Sequence, residues 1–208
     1  MIIKRERYKS LQYILSYPGS FRKEEKYPVL FHMHGAGSSG TDLDVLNIDV
    51  PIRKNPAAEE MIIVAPQCFA DTWFEIFEQL IEFCEYIYGQ KYTDRTQFYA
   101  SGISMGGYAA YQLMMSRAQL FAAGIVCCGG GMYWNSAKLK NIPLRIFHGE
   151  KDSTVLPCES IHMAEKINTS GGKAFLTLYP ECGHNCWERV FADKSNFNWL
   201  LLQKKIYD

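Results

Sequence analysis

No apolar run in this 208-residue chain approaches the roughly 20 residues that span a bilayer, and the opening MIIKRERY breaks any apolar core with charge. A membrane span and a secretory leader are therefore not expected, and the chain reads as soluble and cytoplasmic. An excess of one charge is missing too, since Lys plus Arg and Asp plus Glu number 22 each. With no basic stripe to neutralise a phosphate backbone, nucleic acid is not an expected partner. There is no Pro/Ser-rich linker, no block of like charge and no internal repeat, so residues 1–208 read as one unit. A disulfide framework is absent as well. The seven cysteines are odd in number and fall in apolar runs (Cys84, Cys127, Cys128) or loops (Cys68, Cys158, Cys182, Cys186), which favours reduced thiols. Cys182-Gly-His184-Asn-Cys186 contains zinc-type ligands, but a second ligand pair at the usual spacing is lacking. No metal and no organic cofactor is expected.

What the chain does contain is apolar runs alternating with amphipathic ones. Residues 11–17 alternate and close at Pro18-Gly19, the pattern of an edge strand that would start a sheet. Runs at 27–34, 61–65, 122–128 and 143–148 are nearly continuous in apolar residues, as in strands covered on both faces, and 174–179 reads as a last strand. From 76 to 88 the apolar positions recur at helical spacing, with Glu75, Glu78, Glu82 and Glu85 mostly opposite. Helices are also expected at 160–168 and 197–204. Strand and helix alternate from residue 29 onward, which predicts an α/β fold: a mostly parallel sheet with helices on both faces and ligand sites beyond the carboxyl ends of its strands.

The run at 97–101 passes through Gly102-Ile-Ser104-Met-Gly106 into a helical segment. A serine on a sharp strand-to-helix turn projects its hydroxyl, and Gly102 and Gly106 are required because side chains there would strike adjoining backbone. This is the pattern of a nucleophile elbow. A neutral hydroxyl also needs a base and an acid to orient that base. After the strand at 143–148 comes Asp152, and after the last strand comes His184, giving the order Ser, Asp, His. His184 is the candidate base and Asp152 the candidate acid, with Glu150 in the same loop as a weaker alternative. His32, His34, His148 and His162 all precede the final strand; His34 reads as a support for the glycine-rich loop Gly35-Ala36-Gly37. The backbone N–H groups of Ala36 and Met105 are the candidate oxyanion donors.

His34-Gly-Ala-Gly37, Ala65-Pro-Gln67, the Ser104 elbow, His148-Gly-Glu-Lys-Asp152 and Glu181-Cys-Gly-His184-Asn-Cys-Trp187 resemble, in order, the compact carboxylesterase, feruloyl-esterase-like and prolyl-oligopeptidase-like branch of the α/β-hydrolases. The resemblance runs from about residue 27 to the end. It implies Ser104, Asp152 and His184 as a triad, Ala36 and Met105 as the oxyanion hole, and Gln67, Trp73 and Trp187 as residues that line a substrate site. The expected partner is a small-molecule ester, cleaved through an acyl-enzyme. The alternatives are a peptidase or thioesterase with the same triad, and a non-catalytic binding protein on a hydrolase scaffold. In lidded relatives a cap follows the strand at 122–128, and here the connection 129–141 is too short for one. An open site and a preference for short acyl chains are expected, with Met132, Tyr133 and Trp134 available for one side of the cleft.

Overall fold

A computed structural model describes residues 1–49 and 51–206, and the side chains of all of these except 47–49 and 51. Residue 50 and the last two positions of the unit read as 1–208 lie outside the described residues. The strands are β1 (Ile2–Tyr8), β2 (Leu11–Tyr17), β3 (Tyr27–Met33), β4 (Ile62–Pro66), β5 (Thr93–Ile103), β6 (Ala123–Cys127), β7 (Leu144–Gly149) and β8 (Ala174–Tyr179). They form one sheet in the spatial order β1-β2-β4-β3-β5-β6-β7-β8. From β4 to β8 every pairing is parallel, while β2 runs antiparallel to both β1 and β4.

Alternation along β3 explains the layering. Val29, Phe31 and Met33 enter one core and Leu30 the other, as a central strand with two dry faces requires. The first core is closed by α2 (Phe77–Tyr88), α3 (Met105–Ser116) and α4 (Cys158–Thr169), through Leu80, Phe83, Leu113, Met163 and Ile167. The second is closed by α1 (Leu43–Asp49), α5 (Trp187–Ala192) and α6 (Lys194–Leu201), through Leu46, Val190, Phe197 and Leu200. This is the α/β-hydrolase architecture, and the connection from β6 to β7 holds a single 3₁₀ stretch, Tyr133–Leu139, in place of a cap.

The sheet does not begin at 11–17. β1 precedes it, paired with β2 over all seven of its residues, and its run of Lys4, Arg5, Glu6 and Arg7 places charge along an exposed edge, where charge discourages edge-to-edge pairing. The same charges conceal its strand character. The closing helix starts at Lys194 instead of 197, because the Asp193 side chain accepts the Ser195 N–H and caps it, and it ends at Leu201 instead of 204. α1, α5 and the 3₁₀ stretches Pro51–Lys54 and Pro56–Glu60 have no counterpart in the sequence reading.

Phe83 anchors the α2 face. It is fully buried among the rings of Tyr8, Tyr13, Phe31 and Tyr86. Phe83→Ala should lower the unfolding free energy by about 3–5 kcal/mol, read from urea denaturation; a loss below about 1 kcal/mol would mean that this core collapses around the gap.

Candidate active site

β3 turns to β4 on one side and the chain then returns to place β5 on the other, so the loops leaving β3 and β5 diverge at a topological switch point. Ser104 lies there, at φ 54° and ψ −120°, outside the regions a residue with a side chain normally occupies. Its N–H donates to Cys127 O at 2.9 Å, and its carbonyl accepts the N–H of Gly107 at 2.7 Å. A Cβ at Gly102 would lie 2.0 Å from Gly106 O, and one at Gly106 would lie 2.1 Å from Met33 O. The elbow is thus pinned to β3 and β6 by backbone contacts that admit no side chain.

The loops after β7 and β8 are held together in a similar way. A Cβ at Gly149 would lie 2.2 Å from Gly183 O, and the Lys151 N–H donates to Cys182 O at 2.9 Å. This contact brings Asp152 and His184 to one place. His184 Nδ1 is 2.7 Å from Asp152 Oδ2, and His184 Nε2 is 2.9 Å from Ser104 Oγ. The other carboxylate oxygen, Oδ1, accepts the N–H groups of Thr154 and Val155 at 2.9 and 3.0 Å. Burial by itself would raise the Asp152 pKa, but the hydrogen bonds from His184, Val155 and Thr154 outweigh it and hold the carboxyl below its ordinary range. Asp152 is therefore a carboxylate at neutral pH. Glu150 is exposed, and its backbone N–H donates to Tyr179 O at 3.0 Å.

A cleft of about 340 Å³ lies over Ser104, between the loop from Gly35 to Ser38, Ile103, Thr154, His184 and Trp187. Ala36 and Met105 each begin a helical turn, so their N–H groups have no acceptor within that turn. The Gly35 backbone adjoins the nucleophile loop, since a Cβ there would lie 3.5 Å from Ser104 Cβ. Trp187 stands edge-on to the His184 ring at 5.4 Å and is a wall of the cleft.

Gln67 and Trp73 do not line it. Gln67 is buried and its amide donates to Ser38 O and Asp42 O at 3.1 and 2.8 Å; Trp73 is buried and its indole N–H donates to His34 O at 3.0 Å. Both are spent on bracing the loop that starts at Gly35, because a buried polar group is retained where backbone needs a partner. His34 joins them: its Nδ1 is 2.6 Å from Gly35 O, and its Nε2 accepts the Cys68 N–H at 2.9 Å. Tyr133 and Trp134 are largely exposed and do not line the cleft over Ser104, while Met132 lines a separate apolar groove with Phe74, Phe77 and Tyr108.

Of the other histidines, His32 is fully buried against Ser101, and burial lowers its pKa to about 3, so it stays neutral. His162 packs on Tyr133 at the surface. His148 is different, since its Nε2 is 3.1 Å from the same Asp152 Oδ2 that faces His184. The sequence reading places it at a strand end and gives it no part; its position four residues before Asp152 was the available signal.

All seven cysteines are free. The side chains of Cys128, Asp152 and His184 have ligand atoms within 4.8 Å of one another, close enough to share an ion among the described residues. Asp152 and His184 already bind each other, and a hydrogen bond with Cys186 together with burial pushes the Cys128 thiol up, away from the thiolate that a metal takes.

Comparison with known proteins finds esterases and peptidases. Residues 74–140 match the sequence profile described as the prolyl oligopeptidase family. A probable feruloyl esterase C of Aspergillus niger is 25% identical over 187 residues, which are 86% of this chain and 69% of that protein. Among solved structures, a thermostable esterase superposes with TM-score 0.84 at 25% identity over 98% of this chain, which spans 63% of that esterase. A ferulic acid esterase superposes with TM-score 0.72 at 19% identity, covering 96% of both chains, and shows the fold alone. Fold and comparisons together define an α/β-hydrolase. The chain is similar to members of the esterase and prolyl-oligopeptidase-like branch of that superfamily, and these similarities support a serine hydrolase. Among the described residues no helix is long and apolar enough to cross a membrane.

The strain at Ser104 has a measurable consequence. Ser104→Gly should unfold about 1–2 kcal/mol later than Ser104→Ala in urea, because glycine relieves the positive φ while both variants lose the hydroxyl. Equal stabilities would mean that the elbow backbone is not strained.

Proposed function

We propose that this hydrolase cleaves carboxylic esters of small molecules through an acyl-enzyme, with Ser104, His184 and Asp152 as the triad. The observation that carries the reading is the unbroken hydrogen-bonded line Ser104 Oγ, His184 Nε2, His184 Nδ1, Asp152 Oδ2, with spacings of 2.9 and 2.7 Å at its two hydrogen bonds. Ser104 Oγ attacks the ester carbonyl carbon as His184 Nε2 takes its proton, and the Asp152 carboxylate stabilises the imidazolium so formed. Negative charge on the former carbonyl oxygen is met by the N–H groups of Ala36 and Met105. Collapse of the intermediate breaks the C–O bond to the alcohol, which leaves with the proton from His184. Water then enters, gives a proton to His184, and releases the acid and Ser104 by the same steps in reverse order.

The resemblance of the 74–140 segment to the prolyl oligopeptidase family supports a second reading, amide cleavage by the same machinery. Ester, thioester and amide substrates carrying one acyl group, assayed in parallel, separate the two. Ester cleavage is favoured by the likeness to a feruloyl esterase and a thermostable esterase. The modest volume of the cleft and the short β6 to β7 connection favour short acyl groups.

Ser104→Ala and His184→Ala should each remove all but about one part in 10⁴ or less of turnover on p-nitrophenyl acetate, with the double variant no worse than either single one. Additive losses would contradict a triad acting as a unit. Asp152→Asn should keep the fold by circular dichroism and lose about 10⁴-fold in kcat, and near-full activity would transfer the acid role to Glu150. Rates on p-nitrophenyl esters should fall from acetate or butyrate to palmitate with no jump at the substrate's solubility limit; a palmitate preference with such a jump would contradict an open, short-chain site.

A further inference from the structure

His148 ends β7 beside the candidate triad with its side chain fully buried, and the groups around it determine how many protons it carries. Its Nε2 lies 3.1 Å from Asp152 Oδ2 and 2.9 Å from the Val155 carbonyl oxygen. Both are acceptors, so Nε2 bears a hydrogen. Its Nδ1 lies 2.7 Å from Ser160 Oγ, and that same oxygen is 3.0 Å from the Gly129 carbonyl oxygen. Ser160 is fully buried and has one hydroxyl proton to place. If that proton pointed at Nδ1, the Ser160 and Gly129 oxygens would face each other as two acceptors 3.0 Å apart in a dry interior, and Gly129 O would lose this donor. If it points at Gly129 O, every contact is satisfied, provided that Nδ1 also donates.

We propose that His148 is an imidazolium paired with the Asp152 carboxylate, a positioning residue that clamps the acid and tempers the basicity of His184. This rests on the triad reading above for its catalytic consequence. Asp152 Oδ2 is shared by the two histidines, at 2.7 Å from His184 and 3.1 Å from His148, while Oδ1 is taken up by backbone. A positive His148 offsets part of the carboxylate's charge, so His184 gains less by protonation than it would beside a lone carboxylate. The clamp also ties the acid loop through Ser160 to Gly129, which packs on the elbow so closely that a Cβ at Gly107 would lie 2.9 Å from Gly129 Cα. The other ionisable groups facing this region are the Cys186 thiol before α5, the Cys128 thiol after β6 and Glu159 on α4 beside Gly130; among the described residues none of them hydrogen-bonds to His148.

Two measurements test it. Long-range ¹H–¹⁵N spectra of the wild-type protein at neutral pH, with His148 assigned by the loss of its signals in His148→Gln, should show a directly bonded proton on each ring nitrogen. The acid limb of the kcat/KM profile on p-nitrophenyl acetate should move to higher pH by about one unit in His148→Gln, which retains a donor toward Asp152 but no charge. Ser160→Ala, which removes the acceptor of Nδ1, should move it the same way. The sign follows from His184: activity requires its neutral form, and removing a nearby positive charge makes it easier to protonate. A neutral, merely structural His148 predicts lower stability or kcat with the limb in place. One ring proton in the wild-type spectrum, or an unmoved limb in a folded His148→Gln enzyme, overturns the proposal, and if that variant does not fold, the wild-type spectrum assigned by Ser160→Ala perturbation decides. Should Ser104→Ala remain active, the triad reading fails separately, because the proton count on His148 is read without turnover.

Discussion

Everything at this site depends on a backbone collision that is avoided by the absence of two side chains. β5 must turn into α3 within one residue, at the closest approach to β3, and the carbonyls of Gly106 and Met33 occupy the space where Cβ atoms at Gly102 and Gly106 would lie. The tight turn forces Ser104 into a positive φ, and the neighbouring strand then locks it there through the Cys127 carbonyl. Strain of this kind persists only where surrounding contacts over-determine the backbone. What it provides is a hydroxyl lifted off the sheet edge at the start of a helix, facing the loop from Gly35 to Ser38.

A second set of backbone contacts positions what faces that hydroxyl. The loops after β7 and β8 meet at Gly149 and Gly183 so closely that the acid and the imidazole arrive from different strands at hydrogen-bond distance. Asp152 has four hydrogen-bonding neighbours, two from backbone and two histidines, and the bonds from His184, Val155 and Thr154 keep it a carboxylate despite its burial. The third loop is braced differently. His34 Nδ1, the Gln67 amide nitrogen and the Trp73 indole N–H hydrogen-bond its backbone, so its shape is set by buried side chains instead of glycine packing.

The parts legible in the sequence are those where one physical demand dominates the residue choice. Central strands need continuous apolar runs, and the elbow needs small residues around a serine, so β3 to β8, α2 to α4 and the positions of Ser104, Asp152 and His184 could be read directly. β1 could not, because at an exposed edge the need for charge overrides the alternating pattern. α5, only six residues long, leaves too little periodicity to recognise. Gln67 and Trp73 were expected in the cleft from the family resemblance; their place after a strand's carboxyl end also suits a buried brace, and sequence does not say which way a side chain turns. His148 was passed over for a related reason. Its role depends on Ser160, Gly129 and Val155, which come together only through the fold.

The central claim is that Ser104 is the nucleophile, and trapping its acyl-enzyme tests that most directly. The protein would be mixed with a slowly deacylated p-nitrophenyl ester, quenched in acid within the first turnover, digested, and mapped by mass spectrometry. The account predicts one acyl group, carried by Ser104 and absent when His184 is replaced by Ala. An acyl group on a cysteine such as the exposed Cys158, or hydrolysis with no covalent adduct at Ser104, would contradict it.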